Sequence, residues 1–221
     1  MDWVKTIREE AQRSAVLRTD ELAERYKIIP VAVTQALARQ ERRGLVERVG
    51  NKTYFNRLAP DSSSRDLVNV LRKDAYISLE FALREYGISA QSPRVLTCVT
   101  TERSRALKSE TISINYRNIS PHLYWGYIRK TTRYGSYLIA ETEKAILDWV
   151  YLSLRDGNSP ALDEFDFSRV DRRKLLDYAK KFPSTVYSHV LPILAAQGQE
   201  INKRSQVRRL AVGGRIPRSS L

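Results

Sequence analysis

Apolar residues recur along this chain first at helical and then at alternating spacing. Trp3, Val4, Ile7 and Ala11 form a stripe at three- and four-residue intervals that predicts an amphipathic helix, and Ala15-Val16-Leu17 predicts a short strand after it. Leu22, Ala23 and Tyr26 share one face of a second helix. Thr19 and Asp20 are expected to cap it, because a side-chain oxygen accepts from the unpaired N–H groups of a first turn. Lys27-Ile28-Ile29 breaks the pattern. Pro30 then supplies the backbone angle of a first helical position, and Val33, Ala36, Leu37 and Gln40 carry a third helix through Glu41 to Gly44, a residue suited to a left-handed stop. Leu45 to Val49 alternates at period two, and a turn at Gly50-Asn51-Lys52 leads into Thr53-Tyr54-Phe55. Three helices closed by such a hairpin predict a winged helix-turn-helix domain over residues 1–58.

Leu58 to Arg65 concentrates Pro, Asp and Ser with almost nothing to bury, so residues 59–65 are expected to be a short linker. A second domain is predicted over residues 66–200. It opens with helices over 66–72 and 78–86, the second capped by Ser78 and stopped at Gly87. Strands follow at 93–101, 111–116, 124–128 and 136–139, where β-branched and aromatic residues cluster. A strong helix from Thr142 to Leu154 turns Ala145, Ile146, Trp149, Val150 and Leu154 to the core. Helices over 171–181 and 184–196 complete it, the last carrying Pro192, which removes one hydrogen bond and should kink it. The expected class is therefore α+β: a winged helix-turn-helix domain followed by a mixed α/β domain with a small sheet and several helices. A basic tail covers 201–221.

Charge changes the picture more than composition does. The 221 residues carry a formal charge of +13, and their 42% hydrophobic content is enough for a real core. Residues 1–60 hold +4, the middle of the chain is neutral, and residues 169–221 hold +9, which calls for an anionic partner at the two ends. Cys98 is the single cysteine and sits in an apolar run, which excludes an internal disulfide and points to a reducing compartment. No apolar run approaches the roughly 18 residues of a membrane helix, and the N-terminus has no signal-peptide core, so a cytoplasmic protein without membrane association is expected.

In a winged helix-turn-helix the second helix of the motif enters the major groove. Its outward residues here are Val31, Thr34, Gln35, Ala38, Arg39 and Arg42. Gln35 suits adenine and Arg39 guanine, while Thr34, Arg42, Arg43, Arg48 and Lys52 are placed to hold phosphates of double-stranded DNA. The same module also serves in protein interaction, where these cations form a solvated face. Other chemistry is thinly represented. His122 and His189 have no partner at metal-ligand spacing, and phosphate-loop and nucleophile-elbow patterns are absent, so no metal, cofactor or catalytic site is expected. Glu141, Glu143 and Asp148 stand near a helix start, where the dipole alone favours acids. Tyr124, Trp125, Tyr127, Tyr134 and Tyr137 are expected to pack on the sheet, with stacking of single-stranded bases as the alternative. The six cations after Glu200 form either a phosphate-scanning tail or a solvated end. Oligomeric state stays open.

Several segments in order resemble the AbiEi family of antitoxins, the regulator half of AbiE-type type IV toxin–antitoxin (abortive infection) systems. They are the predicted winged helix, Tyr76-Ile77-Ser78-Leu79-Glu80-Phe81-Ala82-Leu83 up to Tyr86-Gly87, Pro93-Arg94-Val95 to Arg103-Ser104-Arg105, Leu123 to Tyr127, and Ala140 to Asp148. The resemblance spans roughly residues 15–155; the basic region beyond departs from it. It implies autorepression through inverted repeats in the protein's own promoter. It also implies that the second domain neutralises a nucleotidyltransferase toxin without a stable complex. Arg94, Thr101, Arg103, Glu143, Lys144 and Asp148 match its shared signature and become candidates for antitoxicity. A ligand-responsive winged-helix regulator without antitoxin activity is the alternative.

Overall fold

The computed structural model describes residues 1–192. Near the N-terminus, α1 (Trp3–Glu10) is capped by Asp2, whose carboxylate accepts from the amides of Val4 and Lys5. Then come β1 (Val16–Arg18), α2 (Thr19–Tyr26), α3 (Pro30–Arg42), β2 (Val46–Gly50) and β3 (Thr53–Asn56). Gly44 adopts the expected left-handed stop with φ of 73°. The capping of α2 differs from expectation. Arg18 is the N-cap and no side chain caps the helix; Thr19 is already helical and buried, and its amide donates to the Lys52 carbonyl at 3.0 Å.

The three strands form an antiparallel sheet in the order β1-β3-β2. Ile7, Leu17, Leu22, Val33, Leu37, Val46 and Tyr54 pack between this sheet and the helices. All four residues of β3 are buried, because its second face meets another layer. Val49, Phe55 and Ala59 belong to the larger hydrophobic core built around the rest of the chain. Ala59 is thus buried within the segment expected to have nothing to bury.

A 3-10 turn (Ser64–Leu67) and α4 (Val68–Leu71) take the place of the single helix expected over 66–72. β4 (Tyr76–Ile77), α5 (Leu79–Glu85), β5 (Leu96–Thr100), β6 (Arg105–Lys108), β7 (Ser113–Asn118), β8 (Tyr127–Thr132), β9 (Gly135–Ala140), α6 (Thr142–Arg155) and α7 (Arg172–Ala179) follow, and a further helix begins at residue 184. The larger sheet is mixed, in the order β6-β7-β5-β4-β9-β8, so the chain is α+β with two sheets. Four strands were legible in this part of the sequence. β4 is too short to show a period, and β6, mostly exposed at the sheet edge, has no apolar alternation to betray it. The strand expected over 124–128 begins only at Tyr127, since a 3-10 turn (Pro121–Leu123) occupies the preceding residues and carries His122. No described helix is long and apolar enough to cross a membrane. The part of the expected last helix beyond Pro192, and the basic tail with its six cations, lie outside the described residues.

Two polar clamps join residues 1–61 to the larger sheet and its turns. Glu47 of β2 accepts from Arg57 at 2.8 Å, from the Thr111 amide at 2.9 Å and from the Thr111 hydroxyl, and Arg57 also reaches Glu110 at 2.7 Å. At the opposite end, the Tyr134 hydroxyl bonds to the Ala11 and Pro60 carbonyls, and Arg133 reaches Gln12 and Asp61.

Candidate functional site

Pro30 opens α3 without a side-chain cap, and the burial of Val33, Ala36, Leu37 and Gln40 fixes which face of the helix is free. Thr34, Gln35, Arg39, Arg42 and Arg43 are all exposed on or just beyond that face, with Arg48 and Lys52 exposed on the hairpin. Their local bonds are few. Thr34 donates to the Pro30 carbonyl, Arg42 to Ala38 and Arg48 to Gly50, and none of the five arginines and lysines makes an ion pair among the described residues. Glu41, on the same helix, accepts from the Arg48 amide at 3.0 Å. Lys52 has a φ of 54°, the left-handed geometry of a tight turn, and so projects from the hairpin tip. Ile29 and Val31, 70% and 64% exposed, flank Pro30 and add an apolar lip to the basic face. Ile29 escaped the periodicity argument because it precedes the helix.

The six antitoxicity candidates do not form one cluster. Arg94 and Arg103 are exposed beyond opposite ends of β5. Thr101 is held through its amide and hydroxyl by the Asp74 carboxylate, which also accepts from Thr100 at 2.6 Å. Burial pushes the Asp74 carboxyl up, but these three hydrogen bonds outweigh it and hold it below the ordinary range. Glu143 is buried and ties α6 to α7, accepting from the Asp171 amide at 3.1 Å and facing Lys174 at 3.3 Å.

Lys144 and Asp148 are both fully enclosed, one turn apart on α6 and directly bonded to each other. Asp148 also accepts from Ser78 at 2.9 Å and Tyr76 at 3.0 Å, and Lys144 donates to Tyr76 at 2.8 Å. The ammonium lies 5.1–5.4 Å from the ring centres of Tyr76, Phe182 and Trp125, an aromatic box closed by one carboxylate. Burial lowers Lys144 and raises Asp148, each against the attraction of the other. Gly126 sits over the lysine stem with φ of 75°, and a Cβ there would come within 3.1 Å of it, so the loop needs glycine at this point.

This centre corrects two expectations. Ser78 stands at the N-cap of α5 but caps nothing, because its hydroxyl is committed to Asp148. Leu79 after it takes a φ of 57°, costly for a bulky residue, and is held by the Ser78 amide on Thr97 and the Thr97 hydroxyl on the Ser78 carbonyl. On α6, Glu143, Lys144 and Asp148 are buried as deeply as the apolar residues, while Trp149 and Leu154 are only half-buried. The four-residue spacing of Lys144 and Asp148 is a signal that could have revealed the pair; nothing local signals Tyr76 as its third member. Of the aromatics expected on the sheet, Tyr124 and Tyr127 pack with each other and with Tyr76, centres 5.0–5.4 Å apart, and Trp125 lies edge-on to Tyr178. No protein-family model matches the chain, and no curated protein matches it in sequence.

Proposed function

We propose that the protein is a DNA-binding autorepressor and the antitoxin of an AbiE-type type IV toxin–antitoxin system. In this reading residues 1–58 act as a winged helix-turn-helix, with α3 in the major groove and the β2–β3 hairpin as the wing. The observation that carries it is the free face of α3, where Gln35, Arg39 and Arg42 stand exposed and neither arginine makes an ion pair among the described residues. Gln35 and Arg39 read base edges, Ile29 and Val31 meet thymine methyl groups, and Thr34, Arg42, Arg43, Arg48 and Lys52 hold phosphates. The antitoxin half rests on the resemblance of residues 15–155 to that family. Within it Arg94 and Arg103 are exposed enough to meet a partner, whereas Lys144 and Asp148 act through the fold.

The test is growth of cells inducing the neighbouring open reading frame, with the full-length protein and with an Arg94→Ala/Arg103→Ala variant. Rescue by the parent and loss of rescue in a folded variant support antitoxicity. A harmless neighbour, or no rescue by the parent, removes it. One feature favours the alternative, a regulator that responds to a ligand: a hollow of about 250 Å³ between the hairpin and the larger sheet.

A further inference from the structure

That hollow has two unlike walls. Val49, Gly50 and Asn51 of the β2–β3 hairpin form one side, and Leu71, Leu107 and Tyr116 of the larger sheet and α4 form the other. Three arginines open onto it, and no acidic side chain lines it. Arg72 is fixed over the Tyr116 ring at 5.6 Å and uses Nη1 in its hydrogen bond to Glu102. Arg105 stands opposite Tyr116 in the β6–β7 register and makes no ion pair among the described residues. Arg18, at the rim, is held by Asp20 and Glu21. The Tyr116 hydroxyl is spent on the Val68 carbonyl at 3.2 Å, so the tyrosine offers the hollow only its ring.

We infer that this hollow is a binding site for a phosphate monoester with a compact apolar body. A phosphate dianion offers more acceptor oxygens than a single carboxylate, and a guanidinium without an ion pair among the described residues, as at Arg105, can donate two parallel hydrogen bonds to them. Arg105 takes the phosphate together with the nitrogens of Arg72 not used by Glu102, while Arg18 stays with Asp20 and Glu21 at the rim. The body of the ester lies against Leu71, Leu107, Val49 and the Tyr116 ring. A volume of about 250 Å³ falls just below the roughly 300 Å³ at which drug-sized sites begin, which excludes a dinucleotide. Because the walls come from two parts of the chain, an occupant adds to the forces holding the hairpin against the larger sheet. None of this depends on whether α3 meets DNA.

The test is a titration of the full-length protein with phenyl phosphate, inorganic phosphate and benzyl alcohol, followed by amide chemical shifts. Phenyl phosphate should bind saturably and perturb Asn51, Leu71, Arg105 and Leu107, with the other two probes weaker. Arg105→Ala removes an exposed side chain from an edge strand and should weaken binding about tenfold, the worth of a charge-assisted contact. Arg129→Ala, which removes an equal charge bonded to Ser136 on β8–β9, should leave it unchanged. The inference is overturned by an absence of saturable binding or by perturbed amides elsewhere. Equal weakening by both variants, or inorganic phosphate binding as tightly as its phenyl ester, would overturn it too.

Discussion

Lys144 and Asp148 show how far one residue's role depends on its neighbours. Alone, either charge would be untenable at full burial; together, the ammonium donates to Asp148 and Tyr76, and both carboxylate oxygens accept hydrogen bonds. Removing one member leaves the other uncompensated, so Lys144→Met is expected to cost about 3–5 kcal/mol. In Lys144→Met/Asp148→Asn the amide oxygen still accepts from Tyr76 and Ser78 without a buried charge, and the double variant should be more stable than Lys144→Met alone. Urea unfolding of the full cycle checks this; additive losses would mean the two residues do not act as a pair. Loss of antitoxicity at these positions would then report instability rather than a contact. The i,i+4 spacing is a local signal for such a pair, but it says nothing of burial, because a helix with both charges at one face reads equally well as a solvated face.

At the scale of elements, α3 was almost completely readable. Pro30, the apolar repeat and Gly44 mark its two ends and its buried face, and the structure places the helix within a residue or two of the expected bounds. If α3 is a recognition helix, Arg39→Ala should weaken the preferred site by about 1–3 kcal/mol and relax its sequence preference. Lys52→Ala should weaken all sequences alike and flatten the dependence of log K on log salt by about 1. Fluorescence anisotropy on upstream and scrambled duplexes across salt concentrations separates the two. Binding that ignores salt, or no binding to the upstream DNA, would remove the DNA reading altogether. The side-chain caps expected at α2 and α5 are absent. The reasons differ: at α2 the helix starts one residue early, so Thr19 is already inside it, whereas at α5 the Ser78 hydroxyl is taken by the buried Asp148 instead of the local amide.

Across the whole molecule, the charge map and the docking of the two sheets matter most. Burial pushes the Glu47 carboxyl up, but hydrogen bonds from Ser109, Thr111 and Arg57 outweigh it and hold it down at about 2. A depressed carboxyl lends stability that is complete above its ordinary value of 4.5 and fades as pH falls towards about 2. The shift corresponds to roughly 3 kcal/mol at most. Glu47→Gln should therefore be markedly less stable than the parent at pH 7, with the gap closing between pH 4.5 and 2.5 in denaturant unfolding. A gap independent of pH would mean that the clamp works by shape alone.

The sequence by itself determined the α+β class, the order of most elements, the exposed basic face of α3 and the buried thiol of Cys98, because each follows from short-range periodicity, local backbone preference or hydropathy. Tertiary structure decided that β3 is buried on both faces and that β4 bridges the two halves of the larger sheet. It also decided that Tyr76 closes the lysine–aspartate pair and that a hollow with three arginines opens beside the hairpin. These features join residues dozens of positions apart, and such contacts depend on which surfaces the packed chain brings together, information that no local pattern of hydrophobic and polar positions contains.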